Sequence, residues 1–371
     1  MSVLAGTKLG GEKYPSLTGV RALGAIVVFF DHFSFAPDLH LIVNVMAFFF
    51  ALSGFLIVRI YYEQVALTGR WLSKYFLNRF ARIYPVYFLL LSIAVLLQHG
   101  AVPPFDVTLN YTLTHGLFHD VQYVIQPSWS LTTEECFYLL APLFMILARR
   151  FTPLAPLLLG CVLLFAALAV ARTGGGYAGF LGTTGFIFAT TFFGHGLEFF
   201  AGAFLALALL RLEKSASSRL AGNKYTLLGC AGVIVLCVAM IAVYRHVPLN
   251  TLATIVINNF LMPFPIAVLY WGLLREDTML SRALGGRIFG LLGRASYSFY
   301  LLHTLIIDYI SVPILLPHIG SRLAAVLVTF IVTWAVAIAL YLFYEEPTNL
   351  FIRRKFHSKE GWVGLRATLF K

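Results

Sequence analysis

The sequence is poor in charge and in cysteine. Only 12% of its 371 residues are Asp, Glu, Lys or Arg, whereas 60% are hydrophobic; soluble domains average about 25% charged and about 45–50% apolar residues. The four cysteines lie singly in apolar segments, without a Cys-x-x-Cys pair, which argues against a disulfide framework or a zinc site. These shortages exclude a sizeable soluble domain and indicate an integral membrane protein.

Acidic residues are scarcer than basic ones, with 16 Asp and Glu against 27 Lys and Arg and a net charge of +11. In a soluble protein this excess would suggest nucleic acid. Here the basic residues punctuate hydrophobic runs and do not cluster with exposed aromatic residues. We therefore predict no nucleic-acid partner and interpret the basic residues as signals of membrane topology.

Long apolar runs divide the chain into segments of the roughly 20 residues that a spanning helix requires. They predict an all-α, polytopic integral membrane protein with about ten transmembrane helices. The predicted spans are 16–36, 41–61, 76–98, 129–148, 153–171, 185–210, 225–244, 251–274, 289–311 and 321–344.

The distribution of Lys and Arg orients these spans. If successive spans cross the membrane in alternating directions, the Lys and Arg residues between spans lie almost all on the side of the termini. The exceptions on the opposite side are Arg172, Arg245 and Arg322. By the positive-inside rule, both the N and C termini are predicted to be cytoplasmic, and the loop 99–128 faces outward. We expect a transmembrane domain over residues 1–350 and a short basic cytoplasmic tail over 351–371.

Ionisable side chains inside a span are costly and usually mark a function. In the first predicted helix, Arg21 and His32 are eleven residues apart, which places them within about 20° of one face and roughly 16 Å apart along the axis. The alternative is that Arg21 reaches cytoplasmic headgroups and His32 caps the outer interface. Their shared face favours a common cavity, with Arg21 toward the cytoplasm and His32 toward the outside.

A second group stands at the outer start of the fourth predicted span, in the stretch WSLTTEECFY. A glutamate in a first turn often complements the helix dipole, and a hydroxyl such as that of Ser130 can cap the helix. Two glutamates bracketed by Trp129 and Tyr138 exceed what capping requires. By span position, Glu134 lies near the depth of His32, so a carboxylate and an imidazole are expected to meet in the outer leaflet.

Arg79 and Arg82 lie at the cytoplasmic end of the third predicted span. They are three residues apart and therefore neighbours on one helix face. Positive-inside bias explains part of this pair. Forked guanidinium groups also suit phosphates, and the adjacent Tyr84 and Tyr87 suit a purine ring.

Ser296, Tyr300 and His303 follow helical spacing along the ninth predicted span. A tyrosine stripe is more often packing than chemistry, whereas a histidine in mid-helix is harder to attribute to packing.

The tenth predicted span ends with Glu345 and Glu346. Pro347 is predicted to terminate this helix. The two acids are expected to form ion pairs with nearby arginines.

Six motifs stand in the order found in the acyltransferase 3 family, and the sequence resembles that family from residue 14 to about residue 347. Members of the family are membrane enzymes that move acyl groups, commonly acetyl, from coenzyme A thioesters to hydroxyls of extracytoplasmic sugars. The matching motifs are RALGAIVVFFDH, FFFALSGFLI, RFARIYP, WSLTTEECFY, SYSFYLLH and YLFYEEP.

The resemblance implies roles for individual residues. His32 would be the essential catalytic histidine and Glu134 a second residue of the active site. Where the family often has Val-Glu-Glu-Gln, this chain has Thr-Glu-Glu-Cys over 133–136 and keeps the first Glu. Arg21, Arg79 and Arg82 would bind the acyl donor. Acceptor binding is assigned to Trp129, Ser130, Tyr138, Tyr300 and His303.

We therefore expect a multi-pass protein of the bacterial inner membrane, in contact with lipid, that uses acyl-coenzyme A and no metal. The chain looks like the stand-alone form of the family, without a C-terminal esterase-like domain. Expected acceptors are sugars or polysaccharides, such as O-antigen, exopolysaccharide or a lipid-linked glycan. The sequence leaves open the acceptor's identity, acetyl against succinyl, and the oligomeric state.

The mechanism also has alternatives. Direct transfer in a ternary complex is favoured over an acyl-enzyme, because no nucleophile elbow is present, while a relay through His32 stays open. Glu134 would orient the imidazole, stabilise its cation or bind the sugar. The alternative function is a transporter or flippase for a sugar-containing lipid, which the lack of an internal repeat disfavours.

Overall fold

A computed structural model describes residues 14–33, 41–214, 220–247 and 251–357, without the side chains of 41–44, 214 and 357. Over these residues the chain is helical, with no β-structure beyond two isolated bridges. Helices satisfy every backbone group within one segment, which a lipid environment demands. The predicted class, an all-α polytopic membrane protein, is confirmed.

The α-helices are numbered in chain order. The first eight are α1 (Pro15–His32), α2 (Leu41–Tyr61), α3 (Gly69–Leu97), α4 (Pro104–Tyr111), α5 (Trp129–Arg150), α6 (Ala155–Arg172), α7 (Thr184–Thr190) and α8 (Phe192–Lys214). The next eight are α9 (Lys224–Tyr244), α10 (Leu252–Ile255), α11 (Pro263–Arg275), α12 (Met279–Leu284), α13 (Arg287–Ile306), α14 (Leu316–His318), α15 (Arg322–Leu340) and α16 (Glu346–His357). Three π-helical segments are Val256–Leu261, Ile307–Leu315 and Tyr341–Glu345.

Within the described ranges, nine helical stretches are long and apolar enough to cross a membrane. They are Val45–Gln64, Gly69–Leu97, Gln126–Arg150, Ala155–Arg172, Thr184–Glu213, Lys224–Tyr244, Leu252–Arg275, Arg287–His318 and Arg322–Phe356. They correspond to nine of the ten predicted spans. The first predicted span forms α1, an unbroken helix of 18 residues that is not among the nine.

Some predictions reach beyond the described residues. Positions 34–36 of the first predicted span lie outside them, and so do positions 358–371 of the predicted basic tail. Positions 351–357 of that tail form the end of α16. The cytoplasmic location of both termini and the domain limit at residue 350 stay predictions.

The prediction that Pro347 ends the last helix is wrong. Tyr341–Glu345 form a π-helical turn, and α16 continues from Glu346 to His357. A proline cannot donate to the carbonyl four residues earlier and crowds it. The wider π turn directly before Pro347 shifts those carbonyls out of the α-helical register, so the helix resumes without the clash. Glu345 thereby stays inside the bundle, where it is 2% exposed.

The sixth predicted span is two helices, α7 and α8, because Thr191 between them adopts an extended backbone. The carbonyl groups around this break receive side-chain hydrogen bonds. Thr133 Oγ1 donates to Thr190 O at 2.6 Å, and Asn259 Nδ2 donates to Phe188 O at 2.9 Å. Such partners are what allow irregular backbone at membrane depth. The break lies against the first turns of α5.

Two helix pairs are in backbone contact. A Cβ on Gly54 would lie 2.0 Å from a carbonyl oxygen of α8, and one on Gly202 would lie 1.8 Å from a carbonyl oxygen of α2. A Cβ on Gly293 of α13 would lie 2.0 Å from a carbonyl oxygen of α1. Small residues permit this close approach in membrane bundles. Three of these four helices, α1, α2 and α13, line the site described next, and α8 supports α2 from behind.

Candidate active site

Five helices, α1, α2, α3, α5 and α13, enclose a cavity of about 110 Å³, here called the inner cavity. Its lining carries the polar side chains that a membrane span normally lacks. Seven of the ten predicted site residues line it: Arg21, Arg79, Arg82, Ser130, Glu134, Tyr138 and Tyr300. The structure therefore gathers side chains from distant motifs around one space.

Arg79 is held between two tyrosine rings. Its guanidinium carbon lies 5.6 Å from the ring centroid of Tyr61 and 5.5 Å from that of Tyr138. Ring faces attract a guanidinium at these distances. Nε of Arg79 is buried and has no hydrogen-bond partner among the described residues. Arg79 therefore offers a fixed positive charge with an unfilled donor.

Arg82 is anchored from the opposite end of the chain. Its Nη1 forms an ion pair with Oε1 of Glu345, so the ion pair expected for this glutamate is confirmed. Ser298 Oγ donates to the other carboxylate oxygen of Glu345 at 2.6 Å, and the guanidinium lies 5.7 Å from the ring centroid of Tyr297. These contacts fix the plane of the guanidinium at the cavity wall.

Glu134 is hydrogen-bonded to α2. Its Oε1 accepts a hydrogen bond from Ser53 Oγ, and Arg21 lines the same inner cavity. In the described part of the chain no hydrogen bond or ion pair joins Glu134 to His32, so the expected meeting of carboxylate and imidazole is not made. Depth along a span fixes the height of a residue, whereas helix rotation decides which neighbour it meets.

His32 meets His303 instead. Nδ1 of His32 lies 3.1 Å from Nε2 of His303, and the ring centroids are 4.8 Å apart. His303 is fully buried and belongs to α13, which packs directly on α1. Neither histidine lines the inner cavity; the pair stands beside it, one helical turn beyond Tyr300.

The carbonyl groups around the pair favour one tautomer for each ring. Nδ1 of His32 lies 3.1 Å from Val28 O, and Nδ1 of His303 lies 2.7 Å from Tyr300 O. Because a carbonyl oxygen only accepts, both Nδ1 atoms carry hydrogen in the neutral rings. The single Nδ1–H of His32 is then shared between Val28 O and Nε2 of His303, each 3.1 Å from Nδ1, and Nε2 of His32 keeps its lone pair. That lone pair is what a general base requires.

Ser130 and Tyr300 connect the histidine pair to the inner cavity. Their hydroxyl oxygens are 2.8 Å apart, and each lies 3.0 Å from Pro127 O. Because Ser130 is committed to these contacts, it does not cap α5, whose preceding residue Ser128 makes no side-chain cap either. The capping alternative for Ser130 is therefore wrong.

Trp129, assigned to the acceptor from the sequence, packs on a buried ion pair that the sequence analysis missed. Its ring centroid lies 5.9 Å from that of His195. Nδ1 of His195 lies 3.0 Å from Oε1 of Glu198, and both residues are at most 1% exposed. The signal was present in the sequence, since His and Glu three residues apart inside an apolar helix share one face.

A larger cavity of about 650 Å³, here called the outer cavity, lies between the loop before α5 and helix α7. The loops before these two helices are joined by backbone hydrogen bonds, of which His119 N to Gly179 O is 2.9 Å. Among the described residues, no Lys or Arg lines the outer cavity, whose rings and amides are those of His119, Gln122, Tyr123 and Gln126. Gln126 directly precedes Pro127, which binds Ser130 and Tyr300.

His115 packs against residues of the loop that lines the outer cavity. It is fully buried, its Nε2 lies 2.9 Å from Ser128 Oγ, and its ring centroid is 5.2 Å from that of Tyr123. Burial lowers the pKa of His115 to about 4, because an apolar surrounding disfavours the charged ring. His115 is therefore a neutral structural residue at neutral pH.

Comparison with curated proteins finds two partial relatives. Peptidoglycan O-acetyltransferase OatA of Listeria monocytogenes is 28% identical over 180 residues, which cover 42% of this chain and 28% of OatA. Acyltransferase MdmB of Streptomyces mycarofaciens is 30% identical over 165 residues, which cover 37% of this chain and 41% of MdmB. The chain thus matches less than half the length of either relative. No solved structure matches it significantly.

The profile of the acyltransferase 3 family, described as an acyltransferase domain, matches residues 14–343. This range runs from the start of α1 to the π-helical segment before α16 and includes the inner cavity, the histidine pair and the outer cavity. Since the match covers most of the sequence, the chain belongs to the acyltransferase 3 family.

Proposed function

We propose that the chain is a membrane O-acyltransferase of the bacterial inner membrane. It moves an acyl group, which we propose to be acetyl, from cytoplasmic acyl-coenzyme A to a hydroxyl of an extracytoplasmic sugar. The observation that carries the proposal is the pairing of His32 with His303, which leaves Nε2 of His32 as a base beside an arginine-lined cavity.

The donor side of the proposal is supported by charge. Arg21, Arg79 and Arg82 line one space, and Nε of Arg79 has no hydrogen-bond partner in the described residues. Guanidinium groups bind phosphate and polarised carbonyl oxygens through charge-assisted hydrogen bonds. The inner cavity is narrow, about 110 Å³, which suits a thin thioester arm.

The acceptor side is supported by the outer cavity. Its lining of Tyr123, His119, Gln122 and Gln126 combines rings with amide donors and acceptors and has no Lys or Arg. Rings with a few placed polar groups are typical of small-molecule sites. A neutral sugar fits this chemistry better than a phosphorylated one. The name of OatA, a peptidoglycan O-acetyltransferase, is consistent with a glycan acceptor.

The proposed step is direct acyl transfer. As the acceptor hydroxyl oxygen attacks the thioester carbonyl carbon, its proton passes to Nε2 of His32. The tetrahedral intermediate then collapses, the C–S bond breaks, and the sulfur of coenzyme A takes the proton back from Nε2 of His32 as the thiol leaves. Nδ1–H of His32 keeps its bonds to Val28 O and His303 Nε2 throughout, so the imidazolium forms without ring reorientation.

The test compares purified wild type with His32→Ala in detergent, with acetyl-coenzyme A turnover and coenzyme A binding measured in parallel. We expect His32→Ala to bind the donor and to lose about 10²–10⁴-fold in turnover, the usual contribution of a general base. His318→Ala, at an exposed histidine far along the chain, is the matched control and should behave as wild type.

Normal turnover by His32→Ala would remove this residue from the mechanism. Absence of both donor binding and turnover in wild type would overturn the enzyme proposal and bring the transporter alternative forward.

A further inference from the structure

A third cavity opens between α1 and α2 at the end of the bundle where the described chain begins. Its volume is about 540 Å³. We call it the mouth cavity. Its polar lining is Tyr14, Thr18, Arg21, Arg59, Glu63 and Gln64. None of these except Arg21 was assigned to the site from the sequence.

Arg59 is the fixed charge of the mouth cavity. Its side chain is 8% exposed and forms an ion pair with Glu213 of α8 through Nη2. The guanidinium carbon lies 5.9 Å from the ring centroid of Tyr14. Nε of Arg59 is buried and has no hydrogen-bond partner within the described ranges. Nη2 of Arg59 is thus bound to Glu213, whereas its Nε–H is available to donate a hydrogen bond to a ligand.

The mouth cavity and the inner cavity adjoin at Arg21, which lines both. The two differ about fivefold in volume, 540 Å³ against 110 Å³. Pockets that enclose drug-sized ligands measure about 300–1,000 Å³. By volume, a nucleotide therefore fits the mouth cavity and not the inner cavity.

We propose, resting on the function proposed above, that the nucleotide end of acyl-coenzyme A binds in the mouth cavity. Arg59 pairs with phosphate and the ring of Tyr14 contacts the adenine. The pantetheine arm then passes Arg21 into the inner cavity. A guanidinium whose plane is already fixed loses little freedom on binding phosphate, and purines stack readily on tyrosine rings. Arg79 and Arg82 are thereby left for the arm and the thioester.

The experiment compares two donors, acetyl-coenzyme A and S-acetylpantetheine, which lacks the nucleotide. With Arg59→Gln, we expect the KM for acetyl-coenzyme A to rise by about tenfold or more, the usual loss for a charged hydrogen bond. The KM for S-acetylpantetheine should stay unchanged. Arg59→Lys keeps a positive charge and should give an intermediate KM with acetyl-coenzyme A.

Glu213→Gln is the matched control, because it breaks the same ion pair and leaves Arg59 in place. It should leave the KM for acetyl-coenzyme A unchanged or lower it. An equal KM rise for both donors in Arg59→Gln, or a Glu213→Gln variant that reproduces Arg59→Gln, would overturn the inference. If wild type turns over neither donor, it is the acyltransferase proposal that fails.

Discussion

Nδ1 of His32 and Nε2 of His303 lie 3.1 Å apart although 271 residues separate them in the chain. The contact joins the C-terminal end of α1 to α13. It gives the proposed base a neutral acceptor where hydrolytic triads commonly use a carboxylate. His303, assigned to the acceptor from the sequence, is by this geometry a positioning residue for His32.

Replacing His303 tests that role. We expect His303→Leu to lower kcat by about tenfold, the cost of one lost hydrogen bond, with an unchanged KM for acetyl-coenzyme A. His303→Gln should keep more activity than His303→Leu, because its amide oxygen accepts from Nδ1–H of His32. Equal kcat values for the two variants, or a rise in KM alone, would contradict a positioning role.

The ion pair of Arg82 with Glu345 is expected to serve both stability and donor binding. Removing one partner of a buried pair typically costs about 3–5 kcal/mol, less here because Arg82 is 31% exposed. Glu345→Gln should lower the thermal unfolding midpoint in detergent. The double variant with Arg82→Gln should recover part of that loss and still bind donor weakly.

Comparing the unfolding midpoints of Glu345→Gln and the double variant tests whether the ion pair stabilises the protein through charge. A double variant as unstable as Glu345→Gln alone would show that the pair does not act through charge.

The buried pair of His195 with Glu198 is predicted to be structural. His195→Ala leaves the carboxylate of Glu198 without its partner, a change that costs roughly 3–5 kcal/mol, and should lower the unfolding midpoint. Glu198→Gln keeps an oxygen that accepts from His195 and should lower it less. Replacing both residues by Leu should restore most of the stability. If His195→Ala unfolds like wild type but transfers no acyl group, the pair belongs to the chemistry.

The burial of His115 predicts that the folded protein loses stability in acid. Its pKa is about 4 in the folded protein against about 6.5 in an unfolded chain, so below pH 6.5 the unfolded state binds more protons. Stability therefore falls as the pH drops from about 6.5 toward about 4 and is unaffected by this residue above that range. The unfolding midpoint of His115→Gln should depend less on pH over this window than that of wild type. Parallel curves for the two proteins would refute the assignment.

Much of the fold is readable from the sequence because the bilayer imposes one requirement, a long apolar helix, on each span. Nine predicted spans appear in the described residues, with every end within seven positions of the predicted one except the last, which lies twelve positions further on, at Phe356. The departures have local causes. Thr191 breaks one span with an extended backbone, and a π turn carries another past Pro347.

The candidate site was less readable, because it depends on helix rotation and on neighbours far apart in sequence. Residue spacing relates positions within one helix, and it placed Arg21 on the cavity side of α1. It does not determine that Glu134 turns to Ser53 while His32 turns to His303. From the sequence, Arg59 indicates only membrane topology. Nothing in its own segment distinguishes an arginine that lines a cavity from one that lies at the membrane interface.

The contact of α2 with α8 at Gly54 and Gly202, and of α1 with α13 at Gly293, has a consequence for which acyl groups the protein accepts. Because each pair is packed backbone to backbone, we expect it to move as one unit, and the space for an acyl chain then depends on how far the two pairs are apart. Truncating one side chain between the two helix pairs enlarges that space only locally. Tolerance of longer acyl groups is therefore expected to change in steps, when one pair shifts against the other, and not in proportion to the volume removed.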